Sequence, residues 1–309
     1  MNTLLTGASG FVGKNLSAYL LSEGMSITEV TRQSAGNNAI TWEDIRQNVT
    51  DKTAYDVYIH LAGKAHDLKN VSAPEEYFLI NTELTKQLFK HFLSSGAKDF
   101  IYFSSVKAAA DAVDNILDEE LVPNPQTPYG LSKLRAEEYL LSQPLPTDKR
   151  LVILRPCMIH GPGNKGNLNL LYGFIKRGIP YPLAAFDNRR SFLGIDNLLF
   201  VIREIIRNKD IPSGIYNVAD DEGLSTKQLV KLIARAMNRS ARVWYIPKGL
   251  LIAMAKIGDI GRLPLNSHRL QKLTESYMVS NGKLKRVLKV DRLPFSVEEG
   301  LSNTIKSFG

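Results

Sequence analysis

The sequence has a single cysteine, Cys157, and no apolar run of the roughly 18 residues that a membrane-spanning helix needs. One cysteine excludes an intrachain disulfide, and its position within the apolar residues 151–158 is typical of a buried, unreactive thiol. The first residues lack the basic and apolar segments of a secretory signal. We therefore expect a protein of the reducing cytoplasm with no membrane span.

Acidic residues are fewer than basic ones, 31 against 39, which gives a net charge of +8. The chain lacks an aromatic-interleaved basic repeat of the kind that binds nucleic acid, and its basic residues look spread along the sequence. We expect no nucleic-acid partner and interpret the charge as a solvated surface that also attracts an anionic small ligand. Residues 250–260 are apolar with a few charges; we favour a packed helix there, with a membrane-surface helix as the alternative.

Short apolar runs alternate with helix-like stretches over the first 160 residues. Residues 3–6 lead into a glycine-rich turn and a helix at 10–23, and further apolar runs follow at 27–31, 56–61, 99–104 and 151–155. Helix-like stretches such as 73–95 and 132–142 lie between these runs. Parallel strands need crossover helices of this kind and bury both of their faces. The alternation predicts an α/β fold with a doubly wound parallel sheet.

The pattern loosens after residue 160, where prolines interrupt it and helices are expected near 198–208 and 226–237. A second, smaller α/β domain is the simplest account. We expect a dinucleotide-binding domain at residues 1–160, to which the chain returns around 191–220. The substrate domain would then comprise residues 161–190 and 221–309.

A glycine-rich segment, Gly7-Ala8-Ser9-Gly10-Phe11-Val12-Gly13, follows the first strand and opens a helix. Glycines allow a tight turn and a close approach of the backbone to a pyrophosphate, and the amino end of the helix supplies N–H donors. Strand, turn and helix in this order are the context that a dinucleotide-binding motif requires. The predicted cofactor contacts in this segment are Gly7, Ser9, Gly10, Phe11, Val12 and Gly13.

The end of the second strand, Val30-Thr31-Arg32, bears on the choice between the two nicotinamide cofactors. A carboxylate there binds the ribose hydroxyls of NAD, whereas a basic residue suits the 2′-phosphate of NADP. Arg32 stands at this position, and Glu29 lies nearby. We therefore expect NADP, with NAD as the alternative.

Tyr129 and Lys133 are four residues apart at the start of a helix-like stretch. This spacing puts the ammonium beside the phenol, where it favours the ionised form of the phenol. The pair is a candidate acid/base. The spacing alone is not specific, because Tyr172 and Lys176 repeat it.

Taken together, these residues resemble the extended short-chain dehydrogenases/reductases, and within them the NAD(P)-dependent nucleotide-sugar epimerase/dehydratase family. That family combines the glycine motif and the Tyr-x-x-x-Lys helix with a strand that ends in Ser-Ser, like Ser104-Ser105. It also has an Arg-Pro run like Arg155-Pro156 and a later segment like His160-Gly161-Pro162. The resemblance spans almost the whole chain and implies a Rossmann cofactor domain.

The resemblance also implies roles for individual residues. Ser105, Tyr129 and Lys133 would be catalytic, since no such serine precedes Tyr172. Ser105 and Tyr129 would bind the sugar oxygen, and Lys133 would hold the nicotinamide ribose and lower the pKa of the phenol, which exchanges a proton as hydride moves. The further cofactor contacts that it implies are Asp44, Ile45, Leu61, Ala62, Gly63 and Asn81, and Tyr129 and Lys133 belong to both sets. The substrate contacts are Ser105, Lys107, Asn167 and Arg190.

Two of these substrate contacts carry specific expectations. Arg190 would pair with the diphosphate of a nucleotide sugar. Lys107 is either a ligand near the reacting carbon or a surface lysine. Dehydratases of the group place Asp-Glu directly after the catalytic hydroxyl residue, because loss of water needs a further acid and base. Val106-Lys107 follows Ser105 here, which disfavours dehydration.

Residues 161–167, 177–180 and 188–190 look most like the branch that acts on UDP-N-acetylated hexoses for surface polysaccharides. The resemblance therefore implies an NAD(P)-dependent oxidoreductase acting at C4 of a nucleotide-diphosphate sugar. It would be either a 4-epimerase or a 4-keto-sugar reductase, would use no metal and would form a homodimer. The alternative is a non-catalytic NADP-binding regulatory protein.

Overall fold

The computed structural model describes residues 1–33, 38–47, 54–64, 73–164, 166–261 and 265–308. The strands are β1 Asn2–Thr6, β2 Ser26–Thr31, β3 Ala39–Thr41, β4 Val57–His60, β5 Asp99–Phe103, β6 Ile116–Leu117, β7 Arg150–Pro156, β8 Met158–His160, β9 Arg189–Gly194, β10 Gly214–Val218, β11 Gly223–Ser225 and β12 Met278–Val279. The helices are α1 Phe11–Ser22, α2 Trp42–Arg46, α3 Pro74–Tyr77, α4 Leu84–Ser94, α5 Pro128–Ser142, α6 Asn167–Lys176, α7 Ile195–Arg207, α8 Thr226–Ala236, α9 Lys248–Gly261, α10 Ser267–Thr274, α11 Gly282–Leu288 and α12 Val297–Lys306.

Seven of the described strands form one parallel sheet, in the order β10-β7-β5-β4-β1-β2-β3. From β1 the chain first adds β2 and β3 on one side. It then crosses to the other side of β1, where it adds β4, β5, β7 and β10 in turn. Ligands of such sheets bind beyond the carboxyl ends of the strands, at the point where the direction reverses. The turn after β1 and the segment after β4 therefore meet at one crevice, and the predicted doubly wound α/β fold is confirmed.

Neighbouring residues along each strand face opposite sides of the sheet, and both sides are buried. Leu5 and Ile59 belong to the hydrophobic cluster that includes α1 and α7, whereas Leu4 and Tyr58 belong to the one that includes α4 and α5. This alternation follows from the two-residue period of a strand. It explains why the strands are continuous apolar runs rather than alternating ones.

A third hydrophobic cluster joins α6, α8, α9 and α12 beside a small sheet of order β11-β9-β8. The chain leaves this region after β9, passes through α7 and adds β10 to the edge of the large sheet. The division into domains at residues 160, 190 and 220 stays a prediction.

Two elements differ from the sequence-based expectation. The first is the short strand β3, which was not expected and which makes the run at 56–61 the fourth strand instead of the third. Its three residues are too few to show the hydrophobic period of a strand. The stretch 73–95 is helical from Pro74 to Ser94, as expected, but a π-helical turn, Phe78–Glu83, lies between α3 and α4. Turns of this kind are frequent at functional sites.

Helix α9 packs through one face only. Leu251, Ala255 and Gly258 are buried, and a Cβ on Gly258 would lie 1.8 Å from the carbonyl oxygen of Leu265. The expectation of a packed helix is thus correct for this face. In the described ranges, no helix is long and apolar enough to cross a membrane.

Candidate active site

The turn between β1 and α1 is shaped by close backbone contacts. Gly7 has a φ of +74°, and a Cβ there would lie 2.7 Å from the backbone nitrogen of Ala62. A Cβ on Gly13 would lie 2.1 Å from the carbonyl oxygen of Gly7. Both positions therefore require glycine. Helix α1 begins after Gly10 without a side-chain cap and with no acidic residue in its first turn, which suits the binding of an anion.

This turn opens onto a cleft of about 710 Å³ at the carboxyl end of the sheet. Its walls include the turn itself, the segment that follows β4 and the end of β2. The predicted cofactor contacts among its lining residues are Gly7, Ser9, Gly10, Arg32, Leu61, Ala62 and Gly63. Arg32 is exposed, and Glu29 also lines this cleft.

Asp44 and Ile45 lie in α2, directly after β3, but neither lines the cleft in the described part of the chain. The Asp44 carboxylate accepts hydrogen bonds from the backbone N–H and the hydroxyl of Thr41 and so caps the helix. These bonds lower the pKa of Asp44. Ile45 is buried in the core. Trp42, which the sequence analysis did not single out, is the α2 residue that lines the cleft.

The start of α5 is set by its cap. Thr127 accepts a hydrogen bond from the backbone N–H of Gly130 and donates one to Asp111, and Pro128 occupies the first turn. Proline and a threonine cap favour a helix start at this point. Tyr129 and Lys133 thereby fall on one face of the first two turns. A smaller cleft of about 240 Å³, lined by both side chains, adjoins the larger one at residues 61–64.

Tyr129 is half-buried and lines the smaller cleft together with Ser105. Burial raises the pKa of the phenol, and the nearby Ser105 side chain lowers it by less. The Lys133 ammonium donates to the carbonyl oxygen of Phe103 at 2.7 Å, and its expected lowering of the phenol pKa stays a prediction. The adjacent Ser104 hydroxyl lines the same cleft and has no hydrogen-bond partner among the described residues.

Lys133 is 5% exposed, and burial lowers its pKa to about 8. The negative charge of Glu137, one turn further along α5, raises that pKa by a smaller amount. A Cβ on Gly63 would lie 3.1 Å from the Lys133 nitrogen and 3.0 Å from Oδ1 of Asn81. Gly63 therefore leaves the lysine room beside the cleft.

Glu137 is paired with Arg155 of β7, and both side chains are at most 2% exposed. Nε of Arg155 donates to the two carboxylate oxygens at 2.9 and 3.2 Å, and a second guanidinium nitrogen donates at 2.5 Å. This bidentate pair ties α5 to the sheet. It fixes the helix that carries Tyr129 and Lys133.

Asn81 lies in the π-helical turn and is fully buried. Its side-chain nitrogen donates to Ser132 Oγ at 2.9 Å, and its Oδ1 accepts from the backbone N–H of Lys64 at 2.7 Å. Asn81 therefore connects α5 to the segment that follows β4.

His60, the last residue of β4, is a site residue that the sequence analysis missed. It is fully buried, and burial lowers its pKa to about 3. Its Nδ1 and Nε2 lie 2.7 and 2.9 Å from the hydroxyls of Thr6 and Thr85. Because Thr85 donates to the carbonyl oxygen of Asn81, it must accept from His60 Nε2–H, which leaves Nδ1 to accept from Thr6. Thr6 in turn accepts from the backbone N–H of Ala62.

Comparison with known proteins identifies the family. Residues 3–219 match the model of the NAD dependent epimerase/dehydratase family. A UDP-glucose 4-epimerase from Vibrio cholerae is 30% identical over 322 residues, which cover 99% of this chain and 94% of that protein. The chain belongs to the NAD-dependent epimerase/dehydratase family. The predicted family is therefore confirmed, and so is the prediction that the protein is an NAD-dependent enzyme of that family.

Two further family members are informative. An N-acetyl-alpha-D-glucosaminyl-diphospho-ditrans,octacis-undecaprenol 4-epimerase from Escherichia coli O157:H7 is 28% identical over 99% of this chain and 94% of its own length. The structure of a Thermus thermophilus UDP-glucose 4-epimerase in complex with NAD superposes with a TM-score of 0.74 at 20% identity, over 100% of this chain and 99% of that one. This second likeness supports the fold.

The site fits the nicotinamide dinucleotide that the family implies. A Cβ at Gly7 or Gly13 would clash with neighbouring backbone atoms, so both positions need glycine. Helix α1 presents an uncapped amino end to the cleft, and the missing side chain of Gly63 leaves space beside Lys133. Phe11 and Val12 follow the turn in the first helical positions, and Val12 lines the smaller cleft. In the described part of the chain, no group of acidic, histidine and cysteine side chains could hold a metal ion.

The predicted substrate contacts of this family member are only partly brought together. Lys107 is half-buried; it donates to the carbonyl oxygen of Asp111 at 2.6 Å and lies 4.0 Å from the centre of the Tyr277 ring. Arg190 donates to the carbonyl oxygens of Glu275 and Lys272.

Burial lowers the pKa of Lys107, the charges of Asp111 and Glu275 raise it by smaller amounts, and the charge of Arg190 lowers it by less still. Neither Lys107 nor Arg190 is among the described residues that line the cleft beside Tyr129. The side chain of Asn167 lies outside the described structure. Tyr172 packs in the third hydrophobic cluster, with its ring 5.4 Å from that of Phe308.

Proposed function

We propose that this protein is an NAD(P)-dependent oxidoreductase acting at C4 of a nucleotide-diphosphate sugar, either as a 4-epimerase or as a 4-keto-sugar reductase. The observation that carries the proposal is that the side chains of Tyr129 and Ser105 line one cleft, which adjoins the cleft at the glycine turn. Lys133 lines the same cleft. The names of the relatives from Vibrio cholerae and Escherichia coli support action at C4.

In the proposed reaction, Ser105 and Tyr129 hold the oxygen on C4 of the sugar, and Tyr129 exchanges a proton with it. When bound, the nicotinamide cofactor supplies the hydride donor or acceptor and, in its oxidised form, a positive charge. Burial alone disfavours the ionised phenol, so Tyr129 holds its proton until an added positive charge or a reacting oxygen favours its release. Lys133, with a pKa of about 8, is mostly cationic at pH 7. Its ammonium donates a hydrogen bond to the carbonyl oxygen of Phe103.

The cofactor and the substrate domain are part of the same proposal. Arg32, exposed at the end of β2, favours the 2′-phosphate of NADP, and Glu29 in the same cleft is the alternative contact for NAD. Residues 161–190 and 221–309 would bind the sugar, with Arg190 as the cation for the diphosphate and Lys107 as a ligand near the reacting carbon. A role in surface polysaccharide synthesis and a homodimeric assembly complete the hypothesis.

Cofactor exchange distinguishes the two activities. A 4-epimerase returns its hydride to the same sugar and retains its cofactor, whereas a reductase must exchange a spent cofactor in each turnover. The test extracts the cofactor from purified protein and then supplies UDP-hexoses, UDP-N-acetylhexosamines and a nucleotide 4-keto-6-deoxy sugar. Retained cofactor with isomer formation supports the epimerase, and NADPH oxidation only with the keto sugar supports the reductase. Turnover of none of these sugars would contradict the proposal.

A sugar diphosphate carried on a polyprenol is a second candidate substrate. The name of the Escherichia coli relative describes such a compound, and the outward face of α9 is apolar. The two candidates share the sugar and the diphosphate and differ in the carrier. Parallel assays with UDP-N-acetylglucosamine and with N-acetylglucosaminyl-diphospho-undecaprenol in detergent would separate them.

A further inference from the structure

The outward face of α9 exposes large apolar side chains. Leu250, Met254 and Ile257 are spaced four and three residues apart and so share one face, which Ile260 extends by a further turn. They are 53%, 46%, 63% and 89% exposed, respectively. A helix that is apolar on both its buried and its outward face is unusual on a protein surface in water. We name these four residues the apolar α9 face.

Exposed aromatic side chains and positive charges are close to this face in the sequence. Trp244 and Tyr245, just before α9, are 56% and 62% exposed. Residues 239–274 contain seven Lys and Arg and a single acid, Asp259. These residues carry +6 of the net charge of +8, because acidic residues are scarce among them. Lys248 and Lys256 are exposed on α9 itself.

We propose that the apolar α9 face docks the protein onto an anionic lipid bilayer, with α9 lying in the interface. Apolar residues on one face, basic residues around them and neighbouring Trp and Tyr are the composition of helices that bind in the headgroup region. Each Lys or Arg near an anionic leaflet strengthens binding by about fivefold.

Two other arrangements fit the observations less well. At 14 residues α9 is about 21 Å long, too short for the roughly 30 Å of hydrocarbon in a bilayer. A symmetric contact between two copies through this face would bring two strongly basic segments together, whereas an anionic surface complements them. Docking of this kind is independent of which sugar diphosphate the site accepts.

The test is flotation of the full chain with vesicles of phosphatidylglycerol and phosphatidylcholine. We expect binding to vesicles with 30% phosphatidylglycerol and little to phosphatidylcholine alone. Ile257→Glu and Ile260→Glu should each weaken binding by about tenfold or more, and Lys256→Gln by about fivefold. Val122→Glu is the matched control. Val122 is 82% exposed on a loop far from α9 in the sequence, so this substitution should leave vesicle binding unchanged.

Light scattering and a nucleic-acid binding assay on the same variants complete the design. The proposal is overturned if the wild type does not float with anionic vesicles, or if Val122→Glu weakens flotation as much as Ile260→Glu. It is also overturned if Ile260→Glu dissociates an oligomer while leaving vesicle binding unchanged. Preferential binding of the basic segment to DNA over vesicles would overturn it as well. Thermal unfolding of each variant verifies that exposed substitutions leave the fold intact.

Discussion

Replacing Glu137 by Gln should destabilise the protein strongly, because it leaves the buried guanidinium of Arg155 without a counter-charge. Both side chains are at most 2% exposed, and breaking such a pair costs about 3–5 kcal/mol. An unfolding entropy of about 2.1 cal/mol/K per residue gives about 0.65 kcal/mol/K for 309 residues. The melting temperature should therefore fall by about 5–8 °C, as measured by circular dichroism at pH 7.

The chain offers a matched control for this substitution. Glu43 pairs with Arg46 on the surface of α2, with both side chains at least 50% exposed. Glu43→Gln should leave the melting temperature unchanged, because water and salt screen exposed pairs. The double variant Glu137→Leu/Arg155→Met should recover most of the lost stability, since no buried charge remains. Equal melting temperatures for Glu137→Gln and the wild type would refute the importance of this pair.

Three further substitutions test the cofactor turn and the buried titratable groups. Gly13→Ala places a Cβ 2.1 Å from a backbone oxygen and should weaken NADPH binding at least about tenfold in a fluorescence titration, whereas Gly96→Ala, with open space around it, should not. Burial lowers the pKa of His60 to about 3, so the unfolded chain binds a proton that the folded chain rejects. The wild type should thus lose stability as the pH falls from about 6.5 towards 3, and in His60→Gln this loss should be smaller; equal losses would contradict it. Burial lowers the pKa of Lys133 to about 8, so the wild type should gain stability between pH 8 and about 10.4, where Lys133→Met should not; parallel pH profiles would contradict this.

The sheet and the turn after β1 could be predicted because local sequence determines them. A parallel strand buried on both faces is an apolar run, and the positive φ of Gly7 and the close approach of Gly13 to the Gly7 carbonyl are local features of the turn. The short strand β3 and the π-helical turn could not be predicted. Three residues show no period, and the turn depends on tertiary hydrogen bonds of Asn81 to Lys64 and Ser132.

Contacts between distant parts of the chain also limit what a sequence shows about the site. The spacing of Tyr129 and Lys133 is visible, but the bond from Lys133 to Phe103 connects residues 30 positions apart. His60 could have been noticed as a polar residue ending a wholly apolar strand, directly before residues 61–63. Its partners Thr6 and Thr85 become visible only in the folded chain.

Turnover of Tyr129→Phe tests the central claim most directly. Phenylalanine keeps the ring beside Tyr77 and removes only the hydroxyl, which shares the smaller cleft with Ser105. With the sugar that the wild type converts, we predict that kcat falls by about 10²–10⁴ while the dissociation constant of the cofactor changes less than about threefold. Full turnover in Tyr129→Phe would contradict the assignment of Tyr129 as the group that exchanges the proton.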